Sequence, residues 1–129
     1  MFETVQELEG IRILVAEDDN VVAADHTSYL QSSGAEIVGP FKAARDAIDA
    51  LKAAVIDVAL IDFLLEDQNS VDLQQALERK GIPFIVVTGY PAVLVRRGPH
   101  QTVLHKPVSR SELCSAVRAV CNGKSRADK

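Results

Sequence analysis

With 129 residues, 47% hydrophobic and 25% charged side chains, the chain has the make-up of one ordinary globular domain and not of a disordered segment. A net charge of −4 with no long basic stretch argues against nucleic-acid binding, which needs clustered Lys and Arg on phosphates. Two cysteines are too few for a disulfide scaffold, no apolar run reaches the ~18 residues of a membrane span, and the acidic start lacks the pattern of a secretory leader. A cytoplasmic domain with no membrane or nucleic-acid partner is therefore expected.

Residues 1–10 read as a short acidic extension, 11–121 as the domain and 122–129 as a polar tail. Ile11–Ala16 is an apolar run of strand length that ends in Glu17-Asp18-Asp19. Asn20–Ser33 carries Val22, Tyr29 and Leu30 at helical spacing, and Gly34 supplies a stop. Ala35–Val38 predicts a second strand, and Ala43–Ala53, with Ala47, Ile48 and Leu51, a second helix. Val58–Ile61 predicts a third strand, which ends in Asp62. Val71–Lys80 offers Leu73, Ala76 and Leu77 to a third helix closed by Gly81. Phe84–Val87 predicts a fourth strand, ending in Thr88-Gly89.

Pro91 and the Gly98-Pro99 pair leave Tyr90–His100 room for two helical turns at most, so a short or irregular fourth helix is expected there. Thr102–Leu104 predicts a fifth strand, ending in His105-Lys106-Pro107. The last helix, Ser109–Cys121, opens on Ser109 with Glu112 three residues on, a capping box, and Asn122-Gly123 is read as its stop.

Strands that are apolar on both faces suit a parallel sheet covered on both sides, and the alternation of strands and helices predicts a doubly wound α/β sandwich. In such sheets ligands bind beyond the carboxyl ends of the strands. If the first and third strands are neighbours, Glu17, Asp18 and Asp62 converge there. Carboxylates ~4 Å apart repel by about 4 kcal/mol at an effective dielectric near 20, and a hard divalent ion such as Mg²⁺ would relieve this. Lys106 would bring a point charge and Thr88 a hydroxyl to the same crevice, a set that suits phosphoryl transfer with a carboxylate as nucleophile.

The joint pattern resembles the receiver domain of two-component response regulators, over roughly Ile11 to Val120. Ile13–Asp19 is similar to the family's first strand and acid pair, and Val58–Asp62 to the strand of the phosphorylated aspartate. Val86-Val87-Thr88-Gly89 and Leu104-His105-Lys106-Pro107 are similar to its switch-threonine and lysine-proline turns. The resemblance implies a five-stranded parallel sheet of order 2-1-3-4-5, the flavodoxin-like receiver fold. It implies that Asp62 accepts a phosphoryl group from a sensor histidine kinase or a histidine phosphotransfer protein, with Thr88 and Lys106 assisting. Asp18, Asp62, the backbone carbonyl of Leu64 and Glu17 through water would hold Mg²⁺. Thr88 and Tyr90 would carry the switch to a downstream protein.

Gly81-Ile82-Pro83-Phe84 with Val87-Thr88-Gly89-Tyr90 is similar to a stand-alone subgroup common in alphaproteobacteria. Output then runs through protein binding, or the domain drains a kinase as a phosphate sink. Two features depart from the family pattern. Val103 stands where many receivers have an aromatic residue, and the loop after Asp62 has Glu66 and Ser70 where Pro and Gly are usual. An interaction module that binds without phosphorylation is one rival. An Asp-nucleophile phosphohydrolase of haloacid-dehalogenase type is another, disfavoured by Leu64 where a second Asp is needed. His26, His100 and His105 lack metal-ligand spacing, and Cys114 and Cys121 read as small buried hydrophobes.

Overall fold

Residues 7–89 and 102–127 are described by a computed structural model. The chain alternates β1 (Arg12–Ala16), α1 (Asn20–Gln31), β2 (Glu36–Phe41), α2 (Ala44–Ala53), β3 (Val58–Asp62), α3 (Val71–Arg79), β4 (Phe84–Thr88), β5 (Thr102–His105) and α4 (Arg110–Ala127). All neighbouring strands pair in parallel, in the order β2-β1-β3-β4-β5. The expected sheet order is thus observed. The fourth helix expected within Tyr90–His100 lies outside the described residues.

The period of two along each strand divides the core. Leu14, Ala16, Ala59, Ile61 and Val86 face α2 and α3, where they meet Ala47, Leu51, Leu73 and Leu77. Ile13, Val15, Leu60, Ile85 and Val87 face α1 and α4, where they meet Leu30, Leu113 and Val117. The central strands β3 and β4 are buried along their whole length, which explains their unbroken apolar runs.

The helix ends follow the expected chemistry. Ile82 N–H donates to the Leu77 carbonyl and Gly81 N–H to that of Glu78, while Gly81 takes φ +71°, a left-handed close for α3. At α4 the Glu112 N–H donates to Ser109 Oγ and the Ser109 N–H to Glu112 Oε1, the reciprocal box read from sequence.

Three boundaries differ from expectation. β2 runs on to Phe41 through Gly39-Pro40. Proline is tolerated because β2 is an edge strand with nothing to donate to on its outer side. Gly39 is required there: its φ is +110°, and a Cβ would fall 2.7 Å from the Val15 carbonyl oxygen. α4 passes through Asn122-Gly123 to Ala127, since a helical glycine costs only about 1 kcal/mol and need not end a helix. The 1–10 segment is not all extension, because Leu8 is fully buried among Ile13, Leu30 and Val117, and its N–H donates to the Ser33 carbonyl.

Candidate functional site

The parallel register brings the carboxyl ends of β1, β3, β4 and β5 to one edge. Ala16 pairs with Ile61, Asp62 with Val87, and Thr88 with His105. Each strand therefore delivers its terminal polar residue to the same rim. Glu17 follows β1 and is fixed by its N–H, which donates to the Phe41 carbonyl. Asp62 ends β3, and Phe63 N–H donates to the Val87 carbonyl. Lys106 follows β5, with its N–H on the Thr88 carbonyl at 2.8 Å.

Glu17, Asp62 and Thr88 are buried, whereas Asp18 is exposed at the rim. One carboxylate oxygen from each of Glu17, Asp18 and Asp62 lies within 4.8 Å of the others. Lys106 Nζ stands 3.1 Å from Asp62 Oδ2 and 3.1 Å from Glu17 Oε1. Burial works to lower the Lys106 ammonium, but hydrogen bonds and charge from Asp62 and Glu17 outweigh it and raise the group above its ordinary value. Glu17 is pushed up to about 7, by burial first and by the neighbouring Asp62 next. Two of the three carboxylates, Glu17 and Asp62, thus share one ammonium. The all-oxygen donor set of Glu17, Asp18 and Asp62 suits a hard divalent cation, whose charge would favour the ionised form of Glu17 that burial now disfavours.

Asp19, beside them in sequence, has a different task. Its Oδ1 accepts from the N–H groups of Val21 and Val22, so it is the N-cap of α1, and its own N–H donates to Glu17 Oε2. These hydrogen bonds, that of Val22 foremost, hold its carboxyl below the usual range.

The loop after Asp62 closes on itself. Leu64 and Asn69 form an antiparallel bridge, Leu65 N–H donates to the Gln68 carbonyl, and Ser70 N–H to that of Phe63. Leu64 N–H reaches back to Asp62 Oδ1 at 3.4 Å. Among the described residues no backbone N–H is bonded to the Leu64 carbonyl. The Ser70 position, unusual for the family, is fully buried, with Gln74 Nε2 donating to its Oγ.

The structure gathers Glu17, Asp18, Asp62, Leu64, Thr88 and Lys106 at one edge of the sheet; Tyr90 and His100 lie outside the described residues. His105 is exposed, and Val103 is half-buried beside the α2/α3 face. Cys114 is buried and Cys121 half-buried, as small hydrophobes would be. Sequence reasoning left His26 without a place. It is buried on α1 and lines, with Tyr29, Lys106, Pro107 and Val108, a cavity of about 410 Å³ behind the lysine. Its spacing from Ala23 and Leu30 on the inner face of α1 was the available signal.

A parallel sheet of order 2-1-3-4-5 with acids at β1 and β3, a threonine at β4 and a lysine-proline turn at β5 defines a class, and comparison with known proteins agrees. The family model described as "Response regulator receiver domain" matches residues 13–118, and the chain belongs to that family. It is 28% identical over 120 residues to the transcriptional regulatory protein DesR of Bacillus subtilis, covering 88% of this chain and 60% of DesR. It is 33% identical over 126 residues to the regulatory protein LuxO of Vibrio vulnificus, covering 88% of this chain and 27% of LuxO. The chain thus spans less than two thirds of either relative. In fold it is similar to a response regulator receiver protein from Sinorhizobium medicae, with a TM-score of 0.80 at 24% identity, covering 89% of this chain and 97% of that one. Among the described residues no helix is long and apolar enough to cross a membrane.

Proposed function

We propose that Asp62 accepts a phosphoryl group from a phosphohistidine, on a sensor histidine kinase or a histidine phosphotransfer protein, and that the phosphorylated domain signals by binding a further protein. The supporting observation is the approach of Lys106 Nζ to Asp62 Oδ2, 3.1 Å, beside the buried Glu17 and the rim Asp18. An Asp62 carboxylate oxygen attacks phosphorus, the P–N bond breaks, and the imidazole leaves with the electron pair and takes up a proton. The product is an acyl phosphate.

Little covalent chemistry falls to the protein, so its contribution is placement and charge neutralisation. Lys106 neutralises the phosphoryl oxygens, and the Thr88 hydroxyl donates to one of them. Asp18, Asp62, the Leu64 carbonyl and Glu17 through water are the groups that would hold Mg²⁺. When bound, that ion supplies positive charge against the carboxylates and the phosphoryl oxygens. Drawing Thr88 and Lys106 toward the new anion shifts the domain between two states, with Tyr90, two residues after Thr88, to transmit the change.

Incubation with a small acyl phosphate and Mg²⁺, followed by intact-mass measurement, tests the reading. One phosphate adduct is expected, and it disappears in Asp62→Asn. A folded protein that takes no adduct overturns the proposal and leaves an interaction module that works without phosphorylation. Steady turnover of a phosphomonoester would instead indicate a hydrolase, which Leu64 in place of a second Asp disfavours.

A further inference from the structure

We propose that Asp67 is a positioning residue, which fixes the loop after β3 to the start of α2 and thereby holds the backbone beside Asp62 in place for a divalent cation. This rests on reading Asp62 as the phosphoacceptor beside such a cation.

The need arises at α2. Its N-cap is Ala43, which has the extended conformation of a cap but no side-chain acceptor for the first free N–H groups. Asp67 supplies the acceptor from 23 residues away in the chain: Oδ1 accepts from Ala44 N–H at 2.7 Å and Oδ2 from Arg45 N–H at 3.2 Å. The neighbouring Glu66 N–H donates to the Lys42 carbonyl at 2.8 Å. Residues 42–45 and 66–67 are therefore joined by three hydrogen bonds.

The join continues back to the site. Leu65 is buried in the α2/α3 core, Leu64 is bridged to Asn69, and Leu64 N–H donates to Asp62 Oδ1. The four residues between Asp62 and Asp67 thus have a fixed end at β3 and a fixed end at α2. Asp67 itself is exposed and lies outside the acidic cluster of Glu17, Asp18 and Asp62. It touches neither the cation nor the phosphoryl group in this scheme and acts through the loop. Its carboxyl is held below the usual range, chiefly by the Ala44 hydrogen bond, so the anion persists at neutral pH.

The test separates a positioning role from simple helix capping. NMR titration with Mg²⁺ alone, without any phosphodonor, is run on the wild type, Asp67→Ala, Asp67→Asn and the double variant Asp67→Ala/Ala43→Ser. The new serine caps α2 locally and leaves the loop unattached. Asp67→Ala is expected to weaken Mg²⁺ about tenfold, the lower end of what outer partners of metal sites typically give. Asp67→Asn, which keeps an acceptor oxygen, should recover part of that loss. The double variant should regain thermal stability but not Mg²⁺ affinity. Wild-type affinity in Asp67→Ala, or affinity restored by Ala43→Ser, overturns the proposal and leaves the phosphoacceptor reading intact. A wild type that binds no Mg²⁺ overturns the cation-site reading itself.

Discussion

Lys106 approaches Glu17 as closely as it approaches Asp62, with Nζ 3.1 Å from a carboxylate oxygen of each. One ammonium therefore serves two buried acids from different strands, and it lies on the ground that a divalent cation would share. In the proposed reaction, lysine and cation would be partners toward the phosphoryl group but competitors for the carboxylates. That double relation separates two measurable properties of the site.

Replacing Lys106 by Met removes the competing charge and keeps much of the side-chain bulk. Mg²⁺ should then bind several-fold more tightly, while phosphorylation by a small acyl phosphate slows by about 100-fold, the cost typical of losing one charge-stabilising donor. A Mg²⁺ titration and a time course of the mass adduct check both halves. Weaker Mg²⁺ binding in Lys106→Met would contradict the competition.

Of the three consecutive acids Glu17, Asp18 and Asp19, the last two are expected to separate cation binding from stability. Asp18 is the exposed member of the acidic cluster, and Asp19 caps α1 through Val21 and Val22. Asp18→Asn should abolish most Mg²⁺ binding and leave the thermal midpoint unchanged or slightly higher, because it relieves repulsion. Asp19→Ala should lower the midpoint by a few degrees and weaken Mg²⁺ far less. Thermal melts with and without Mg²⁺ distinguish the two variants.

His26 gives the fold a pH dependence of its own. Burial, and then the Lys106 charge, hold it below the ordinary value of 6.5, against the opposing charges of Asp25 and Asp62. Below pH 6.5 the unfolded chain takes up a proton that the folded protein resists. The stability associated with neutral His26 is thus present above 6.5 and is lost as pH falls through the folded value, at up to about 1.4 kcal/mol per pH unit. His26→Leu should flatten that slope in urea titrations run on either side of pH 6.5.

The strand–helix alternation was legible in the apolar runs, whereas the sheet order came with the resemblance to receiver domains; Glu17, Asp18, Asp62 and Lys106 were expected together because three of the runs lead into them and parallel strands place those ends on one side. Helix stops at Gly34 and Gly81 were legible for a local reason, since only a left-handed residue closes those turns. Asp67 was not legible as a cap, because its partners lie across the fold, at Ala44 and Arg45, and no local pattern records them. The same holds for the end of α4, where Gly123 is a weak stop. It holds equally for β2, which was read only to Val38 and continues through Gly39-Pro40 because it lies at the sheet edge.

Leu8 is the clearest case of a contact hidden from local patterning, and it predicts where the domain begins. It is fully buried against Ile13, Leu30 and Val117, and its N–H and carbonyl bond Ser33 and Ile11. A side chain so placed bridges the two helices α1 and α4 at the N-terminal end of β1. Leu8→Ala should therefore cost about 2–5 kcal/mol, as for other fully buried leucines. A chain started at residue 11 should lose at least as much, because the backbone bond to Ser33 goes too. Urea unfolding measures both. An unchanged midpoint in the shortened chain would place the boundary at residue 11 after all and reduce Leu8 to a passive cover.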